Sequence, residues 1–485
     1  LDLVDSQFHT YTLTAGPNGL EVFINGVSVA SDATRGTDGI NPTGDVYLGR
    51  RLTSPADRYF GGVLDSVQIY DNALGSDQIS DLASGVNRAS VNVTVDAVNI
   101  APYFVGLPEA REVEIDTLNA ASVVTSADLD NDGDLDLITA TDDGIINWYE
   151  NDGTGNFGTA NSIDVQQNFN SVVVYDLDGD GDMDIVALND DPADLDSGVF
   201  VYDNNFIGSG TVSFTESSFE GTGGSGLQGA HSLVIGDIDG NGLADLVVGF
   251  ADGANSALVV FEQNTVGNWT KNVIDTFTSS SSHPYAIDIA DFDGDTYLDI
   301  VVGEFNGGNE LRWYKNDGNA TAGFTSNVIA VQSAIYDVQT GDVDGDGDMD
   351  IVTIDWGTDE VLWFENSGGA TPTFTGNIVV TGVSGLMYDV HLVDIDGDGQ
   401  CELITGKRFR GHPQGDGGDK DPYGWYIFKW TGESFAKHVV DFAPMESAKG
   451  LGIHFAVGDL TGDGTLDVVA PGKDGLAIYY NQGRE

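Results

Sequence analysis

Short runs of apolar residues recur along this chain in one fixed order, seven times over. An apolar run such as SVVVY or HSLVIG leads into an acidic stretch, a second such as MDIVAL or ADLVVG follows it, and an aromatic run such as VFVYDNN or LVVFEQN comes third. A fourth segment (NSIDV, TVSFTES, KNVIDT, TSNVIAV, GNIVVT, AKHVVDF) completes units one to six. Alternating runs bounded by turns rich in Gly, Asp and Asn predict β-strands, so each unit reads as strand A, acidic loop, strand B, strand C, strand D. The acidic loops begin at Asp128, Asp176, Asp237, Asp291, Asp342, Asp394 and Asp459, a spacing suited to four-stranded blades. The predicted fold class is all-β, with a seven-bladed β-propeller over residues 109–485. Unit seven stops at its third strand, and AREVEIDT (110–117) is expected to supply the fourth, closing the ring and removing an open sheet edge.

Residues 1–87 carry further alternating runs (YTLTA, LEVFING, DVYLGRR, GGVLDSVQIYD) and predict a smaller β-domain. The segment FGGVLDSVQIYDNALGSDQISDL resembles the C-terminal part of a laminin-G-like or concanavalin-type jelly roll. Residues 88–108 are expected to link the two domains, and ASVNVTVDAVNIAP within them resembles the closing strand and linker between cadherin-like repeats of large bacterial surface proteins. With Leu1 as the first residue, these resemblances imply a piece of a modular extracellular protein.

Counting the first Asp of each loop as position 1, carboxylates recur at positions 1, 3, 5 and 9, and Gly is usual at position 6. A hard dication taking 6–8 oxygens accounts for this spacing, and Ca²⁺ is the expected ion, up to seven in all. The candidate ligands are Asp128, Asp130, Asp132 and Asp136; Asp176, Asp178, Asp180 and Asp184; Asp237, Asp239, Asn241 and Asp245; and Asp291, Asp293, Asp295 and Asp299. Loops five to seven add Asp342, Asp344, Asp346 and Asp350; Asp394, Asp396, Asp398 and Glu402; and Asp459, Asp463 and Asp467. Position 12 never holds Glu, so these are strand-to-strand loops and not EF-hands. Loop four has Thr296 at position 6, and loop seven has Thr461 at position 3 and is expected to bind most weakly. The repeat resembles the FG-GAP or VCBS-type repeat of integrin-like propellers.

The chain has 18 basic and 78 acidic residues, for a formal charge of -60, which argues against a nucleic-acid partner. One cysteine, Cys401, leaves no disulfide to staple the fold, and no apolar run reaches the length of a membrane span. A secreted or cell-surface, bacterial, saline and calcium-rich setting fits this charge. Against it, TGKRFRGHPQGDGGDKDPYGWY sets Lys407, Arg408, Arg410 and His412 close together between strands B and C of blade six. In an up-and-down blade this loop lies on the face opposite the A-to-B loops.

Strand A lines the central channel, and period two selects its inward residues. Positions −4 and −2 from the loop Asp are mostly apolar and are expected to pack between blades. Positions −5 and −3 then place Asp288, Asp337, Gln339, Asp389, His391 and His454 in the channel, with Tyr285, Tyr336 and Tyr388 at −6. Glu304, Trp356, Lys473, His231 and His283 are expected to reach the same face from loops. Convergent acids, bases and aromatics in a cleft suggest a binding or catalytic site.

Three readings stand at this stage. A non-catalytic module would bind carbohydrate, most naturally an acidic polysaccharide, or a cell-surface partner. A lyase or dehydratase would use His454 or Tyr388 as base and Arg408, Arg410 and Lys407 to stabilise an enolate; the basic loop resembles a segment of propellers related to aldos-2-ulose dehydratases. In that case His391, His412 and the Asp pair would alternatively hold a second, catalytic metal. A hydrolase would pair Asp337 with Asp389. As a bland alternative, Lys407 and Arg408 would pair with Asp389 and Asp337 in a structural network. If the loops bind Ca²⁺, EDTA is expected to lower the melting temperature; an unchanged melting curve would sink that reading.

Overall fold

The computed structural model describes residues 11–16, 19–24, 27–32, 104–105, 112–113, 121–141, 144–165, 169–189, 198–219, 229–251, 255–277, 283–305, 307–318, 323–358, 360–381, 387–407, 423–443, 454–472 and 475–481. The chain divides into two units, Leu1–Val98 and Asn99–Glu485. In the first, Tyr11–Gly16, Gly19–Ile24 and Val27–Asp32 form an antiparallel meander. The strands expected at 45–51 and 61–71, and the linker strand at 89–102, lie outside the described residues.

The second unit is a ring of seven sheets, each ordered A-B-C-D and antiparallel throughout. The A strands are Ala121–Ala127, Phe169–Tyr175, Ala230–Gly236, His283–Ala290, Ile335–Gly341, Met387–Val393 and Ala456–Gly458. The B strands, which begin at position 9 of each acidic loop, are Asp136–Thr141, Asp184–Asn189, Asp245–Phe250, Asp299–Phe305, Asp350–Asp355, Glu402–Lys407 and Asp467–Gly472. The C strands are Ile145–Tyr149, Gly198–Asn204, Ser256–Thr265, Glu310–Asn316, Glu360–Asn366, Tyr423–Trp430 and Gly475–Asn481. Blades one to six end in Asn161–Val165, Phe214–Phe219, Asn268–Phe277, Phe324–Val331, Phe374–Thr381 and Phe435–Ala443. In blade seven, Glu112–Val113 pairs with Leu476 and Ala477, within the segment expected to close the ring. Phe104–Val105 also pairs there, with Tyr480 and Asn481, which extends this sheet into the stretch read as linker.

The B strands show why their sequences are apolar runs without alternation: the strands of blades one, two, three and five are buried along their whole length. Each blade is covered on both faces by its neighbours, so both sides of a central strand need apolar residues. Seven apolar clusters fill the seven junctions. Leu188 and Val201 of blade two meet Leu233 and Val248 of blade three; Val124, Leu137 and Tyr149 of blade one meet Leu460, Val469 and Ile478 of blade seven. Position 2 of each acidic loop (Leu129, Leu177, Ile238, Phe292, Val343, Ile395, Leu460) is a buried apolar residue that anchors the loop in a junction.

A polar bracket joins these layers. The position-9 carboxylate of loop two takes Leu177 N–H on Asp184 Oδ2 at 2.9 Å and Asn204 N–H on Oδ1 at 2.8 Å. Asn204, which ends strand C, then uses its own Nδ2 to donate to Met183 O in its blade and to Leu129 O in blade one, at 3.2 and 2.9 Å. The link to the preceding blade recurs through Gln263 to Leu177 O, Asn316 to Ile238 O, Asn366 to Phe292 O, Asn481 to Ile395 O and Asn151 to Leu460 O, at 2.8–3.0 Å. Between blades five and six the position holds Trp430, whose ring packs on Trp363 at 4.8 Å between centroids. Asn204→Ala or Asn366→Ala strands buried carbonyls and is expected to cost about 1–3 kcal/mol in chemical denaturation. Asn377→Ala, on an exposed strand D, is expected to stay within about 0.5 kcal/mol.

Candidate functional site

Each acidic loop folds around its first carboxylate. In loop one Asp128 Oδ1 accepts Asp132 N–H at 3.1 Å and Oδ2 accepts Gly133 N–H at 3.0 Å. Asp342 does the same in loop five, toward Gly345, Asp346 and Gly347. The bend needs a left-handed residue at position 6, which Gly supplies in six loops, while Thr296 takes φ 78° in the fourth. The turn thereby aims the carboxylates inward. Oxygens of Asp128, Asp130 and Asp132 lie within 4.8 Å of one another, as do those of Asp176, Asp178 and Asp180, of Asp237, Asp239 and Asp245, of Asp291, Asp293 and Asp295, and of Asp342, Asp344 and Asp350. In loop three Asn241 replaces the carboxylate, its Oδ1 accepting Leu243 N–H as Asp132 Oδ1 accepts Asp134 N–H.

Buried oxygens remain for a cation. Asp130 Oδ1, Asp182 Oδ1 and Asp293 Oδ1, in loops one, two and four, are enclosed with no hydrogen-bond donor upon them. Burial, and then the neighbouring carboxylates, hold Asp130 and Asp344 above the usual range. A hard dication would relieve both the enclosure and the repulsion, so these residues fit one. The position-9 carboxylates do double work, since their oxygens also carry the backbone N–H groups of the bracket. Two loops differ, because lysines that the sequence reading passed over lie on their carboxylates. Lys315 Nζ contacts Asp293 and Asp295 in loop four, and Lys429 Nζ contacts Asp396, Asp398 and Glu402 in loop six.

At the other end of the A strands, the −4 residues Val172, Leu233, Ile287, Val338, Val390 and Phe455 are buried between blades, as period two requires. The acids of the channel bind backbone in the next blade. Asp288 Oδ2 accepts Thr340 N–H at 2.7 Å and its hydroxyl at 2.9 Å, Asp337 Oδ2 accepts Val390 N–H at 2.8 Å, and Asp389 Oδ2 accepts Phe455 N–H at 3.0 Å. Blade seven passes the link to blade one through Val124 N–H to His454 O at 3.3 Å. His391 Nε2 and His454 Nδ1 stand 3.3 and 3.7 Å from Asp389 Oδ2. Burial raises Asp288 to about 6, and burial followed by the nearby Asp389 charge drives Asp337 well above the usual range. Burial pushes Asp389 upward too, but His391 and His454 outweigh it and hold this carboxylate below its ordinary value. The structure therefore partners these acids with backbone N–H groups and histidines.

A contiguous set of rings occupies the same face in blades three to five. Tyr285 and Tyr336 lie 4.8 Å apart between centroids, Phe305 packs on both at 4.9 and 5.0 Å, and Trp356 joins Tyr336 at 5.8 Å. His231 stacks on Tyr285 at 3.8 Å, and His283 packs on Tyr285 and Phe305. His231 and His283 are strand residues, not loop residues as first read. Burial, with the His283 and His454 charges adding to it, pushes His231 down to about 3, so it is a neutral ring at ordinary pH. Glu304 is buried and bound by Arg312 Nε at 2.5 Å. Tyr388 and Lys407 lie in the A and B strands of blade six, Lys407 opposite Met387. Arg408, Arg410, His412 and Lys473 lie outside the described residues. Phe305 was missed because it ends an ordinary apolar strand; only its register opposite His283 reveals it.

These features define a seven-bladed propeller with carboxylate clusters in its A-to-B loops that could hold a metal ion, and an aromatic face opposite. Residues 128–187, 237–302, 291–353 and 342–405 match the FG-GAP-like repeat, and residues 1–80 match the concanavalin A-like lectin/glucanases superfamily. The propeller is built of FG-GAP-like repeats, and the part before it is laminin-G-like. No curated protein matches the chain. Similar solved structures include a crystal structure of BBS1N in complex with ARL6DN soaked with lead, at 11% identity and a TM-score of 0.49, covering 78% of this chain and 96% of that one. The same complex soaked with mercury gives 12% identity and a TM-score of 0.46, covering 75% and 93%.

Burial lifts Asp136, Asp184 and Asp350 to about 7 and Asp245, Asp299 and Asp467 to about 6, from an ordinary value of 3.8. In chelator the folded chain therefore holds protons that the unfolded chain has released, and stability is expected to fall as pH rises from about 4 to about 7. Ca²⁺ is expected to remove that slope, because a bound cation favours the ionised carboxylates. Melting temperatures against pH, with EDTA and with Ca²⁺, check the sign; a melting temperature in EDTA that climbs through this window contradicts it.

Proposed function

We propose that this protein is a calcium-binding propeller module of a secreted or cell-surface protein, which recognises carbohydrate on the face opposite its acidic loops. The aromatic patch of Tyr285, Phe305, Tyr336 and Trp356 carries the reading. All four side chains are half-buried, so their edges are fixed by packing while part of each ring stays open. Sugar rings present apolar C–H faces that stack on such surfaces, and their hydroxyls need nearby polar groups. His283, His391 and His454 supply these around the same channel. Lys407 at the end of a blade-six strand, with Arg408, Arg410 and His412 following it in sequence, suits the carboxylates of an acidic polysaccharide, which a chain of charge -60 would otherwise repel. The laminin-G-like part fits a modular surface protein. Among the described residues no helix is long and apolar enough to cross a membrane.

The lyase or dehydratase reading keeps one observation in its favour, the placement of His391 and His454 at Asp389. A carboxylate beside two imidazoles would hold either ring as a base. Against it, Asp389 also carries the Phe455 N–H and has a complete structural role. The hydrolase reading is weaker, since Asp337 and Asp389 each hold a neighbouring strand. Trp356→Ala and Tyr336→Ala are each expected to weaken polysaccharide binding roughly tenfold, or about 1.4 kcal/mol, with the melting temperature little changed for Trp356→Ala. A glycan array followed by titration calorimetry measures this, and unchanged affinity in both variants removes the aromatic patch from the site. Ultraviolet absorbance of unsaturated uronides that appears with the wild type and vanishes in His454→Ala would instead establish the lyase.

A further inference from the structure

The residue that follows the aromatic position near the end of strand C faces the acidic loop of its own blade. It is an acid in four blades, Glu150, Asp203, Glu262 and Glu365, and a lysine in two, Lys315 and Lys429; blade seven has Tyr480. The acids add negative charge to position 3 of their loops: Glu150 acts on Asp130, Asp203 is repelled by Asp178, and Glu365 acts on Asp344. The lysines occupy the site. Lys429 Nζ lies 2.7 Å from Asp396 Oδ2, 2.5 Å from Asp398 Oδ2 and 2.9 Å from Glu402 Oε1, which are positions 3, 5 and 9 of loop six. Its side chain is 11% exposed. The ammonium donates to Asp396 and Asp398 and stands at ion-pair distance from Glu402, all carboxylates that a dication would need. Lys315 likewise lies between Asp293 and Asp295, positions 3 and 5 of loop four.

Both loops also depart from the repeat in their own right. Loop six carries the longer Glu402 at position 9, which reaches the ammonium, and loop four carries Thr296 at the turn. From the geometry we infer that Lys315 and Lys429 are built-in cations that take the place of the metal ion in blades four and six. Loops one, two, three and five, with loop seven the weakest, are then the calcium sites, at most five among the seven acidic loops. A tethered ammonium offsets one of its loop's negative charges at any calcium concentration and repels an entering dication. Blades four and six, which flank the fifth, stay braced when calcium is withdrawn, and chelation loosens mainly blades one to three and five.

The inference rests on calcium being the ion of the remaining loops, and a count of bound ions separates the two ideas. Equilibrium dialysis against excess Ca²⁺ with elemental analysis, checked by native mass spectrometry, is expected to give four or five ions per wild-type chain. Lys315→Glu and Lys429→Glu are each expected to gain one ion, and Glu365→Lys to lose one. Lys429→Met, which frees the loop without adding charge, covers the case in which a Glu variant fails to fold, and is also expected to gain an ion. Six or seven ions on the wild type would overturn the inference and leave calcium binding intact, as would lysine variants that gain none while Glu365→Lys keeps its ion. No ion on any chain would overturn both.

Discussion

A buried carboxylate cannot stay in a β-junction unless each oxygen is given a donor, and in six blades this protein meets that demand at the start of strand B with two backbone N–H groups. Asp136, Asp184, Asp245, Asp299, Asp350, Glu402 and Asp467 are all almost fully buried. Six of them take one N–H from loop position 2 and one from the end of strand C. Those two anchors set the height of the acidic loop against its own blade. The amide at the end of strand C then ties its blade to the acidic loop of the preceding blade. Apolar packing alone would tolerate a blade sliding along its neighbour, because the clusters between blades have no preferred direction. The directed amide-to-carbonyl bond removes that freedom.

The exception at Trp430 clarifies what the bracket supplies. Blade six lacks the amide, and its junction with blade five is held instead by Trp363, Trp430 and Phe435, with Trp363 against Phe435 at 5.6 Å between centroids. Large rings packed at an angle restrict sliding by shape, and the junction of blades four and five carries a comparable set, Phe292, Trp313 and Phe374, in addition to its amide. The same blade has Glu402 where the others have Asp, together with Lys429. Three departures in one blade form one consistent substitution: a ring pair replaces the amide, and an ammonium with a longer carboxylate fills the loop.

Much of this was legible before any coordinates. The seven-fold period, the all-β blades and the ring-closing segment follow from repeated apolar runs, because a central strand covered on both faces leaves an unmistakable apolar signature. Period two placed Val338 and Val390 between blades and their neighbours Asp337, Asp389 and His391 beside the channel. The partners of those acids were less accessible. A backbone N–H has no sequence signature, so Asp337 and Asp389 looked available for chemistry or for Lys407 and Arg408, when the described structure joins them to Val390 and Phe455 in the next blade. The bracket amides formed a visible column at the ends of the C strands, yet their target carbonyls lie 74 or more positions away in the chain and only closure brings them together. Lys315 and Lys429 escaped for a related reason: a single cation near the end of an aromatic strand reads as a solvated charge until its register places it over the loop.

The two faces of the ring thus solve different problems with the same residue type. On the loop face, clustered carboxylates lie within reach of one another, lysines contact them in loops four and six, and the others could take a metal ion. On the opposite face Asp288, Asp337 and Asp389 each accept a backbone N–H of the next blade, so their charge is spent on joining A strands. Among the described residues, the ring patch of blades three to five and the imidazoles of blades six and seven stay partly open around that end of the channel. Such a surface has shape and hydrogen-bonding capacity but few free acids, a combination better suited to holding a sugar chain than to cleaving one.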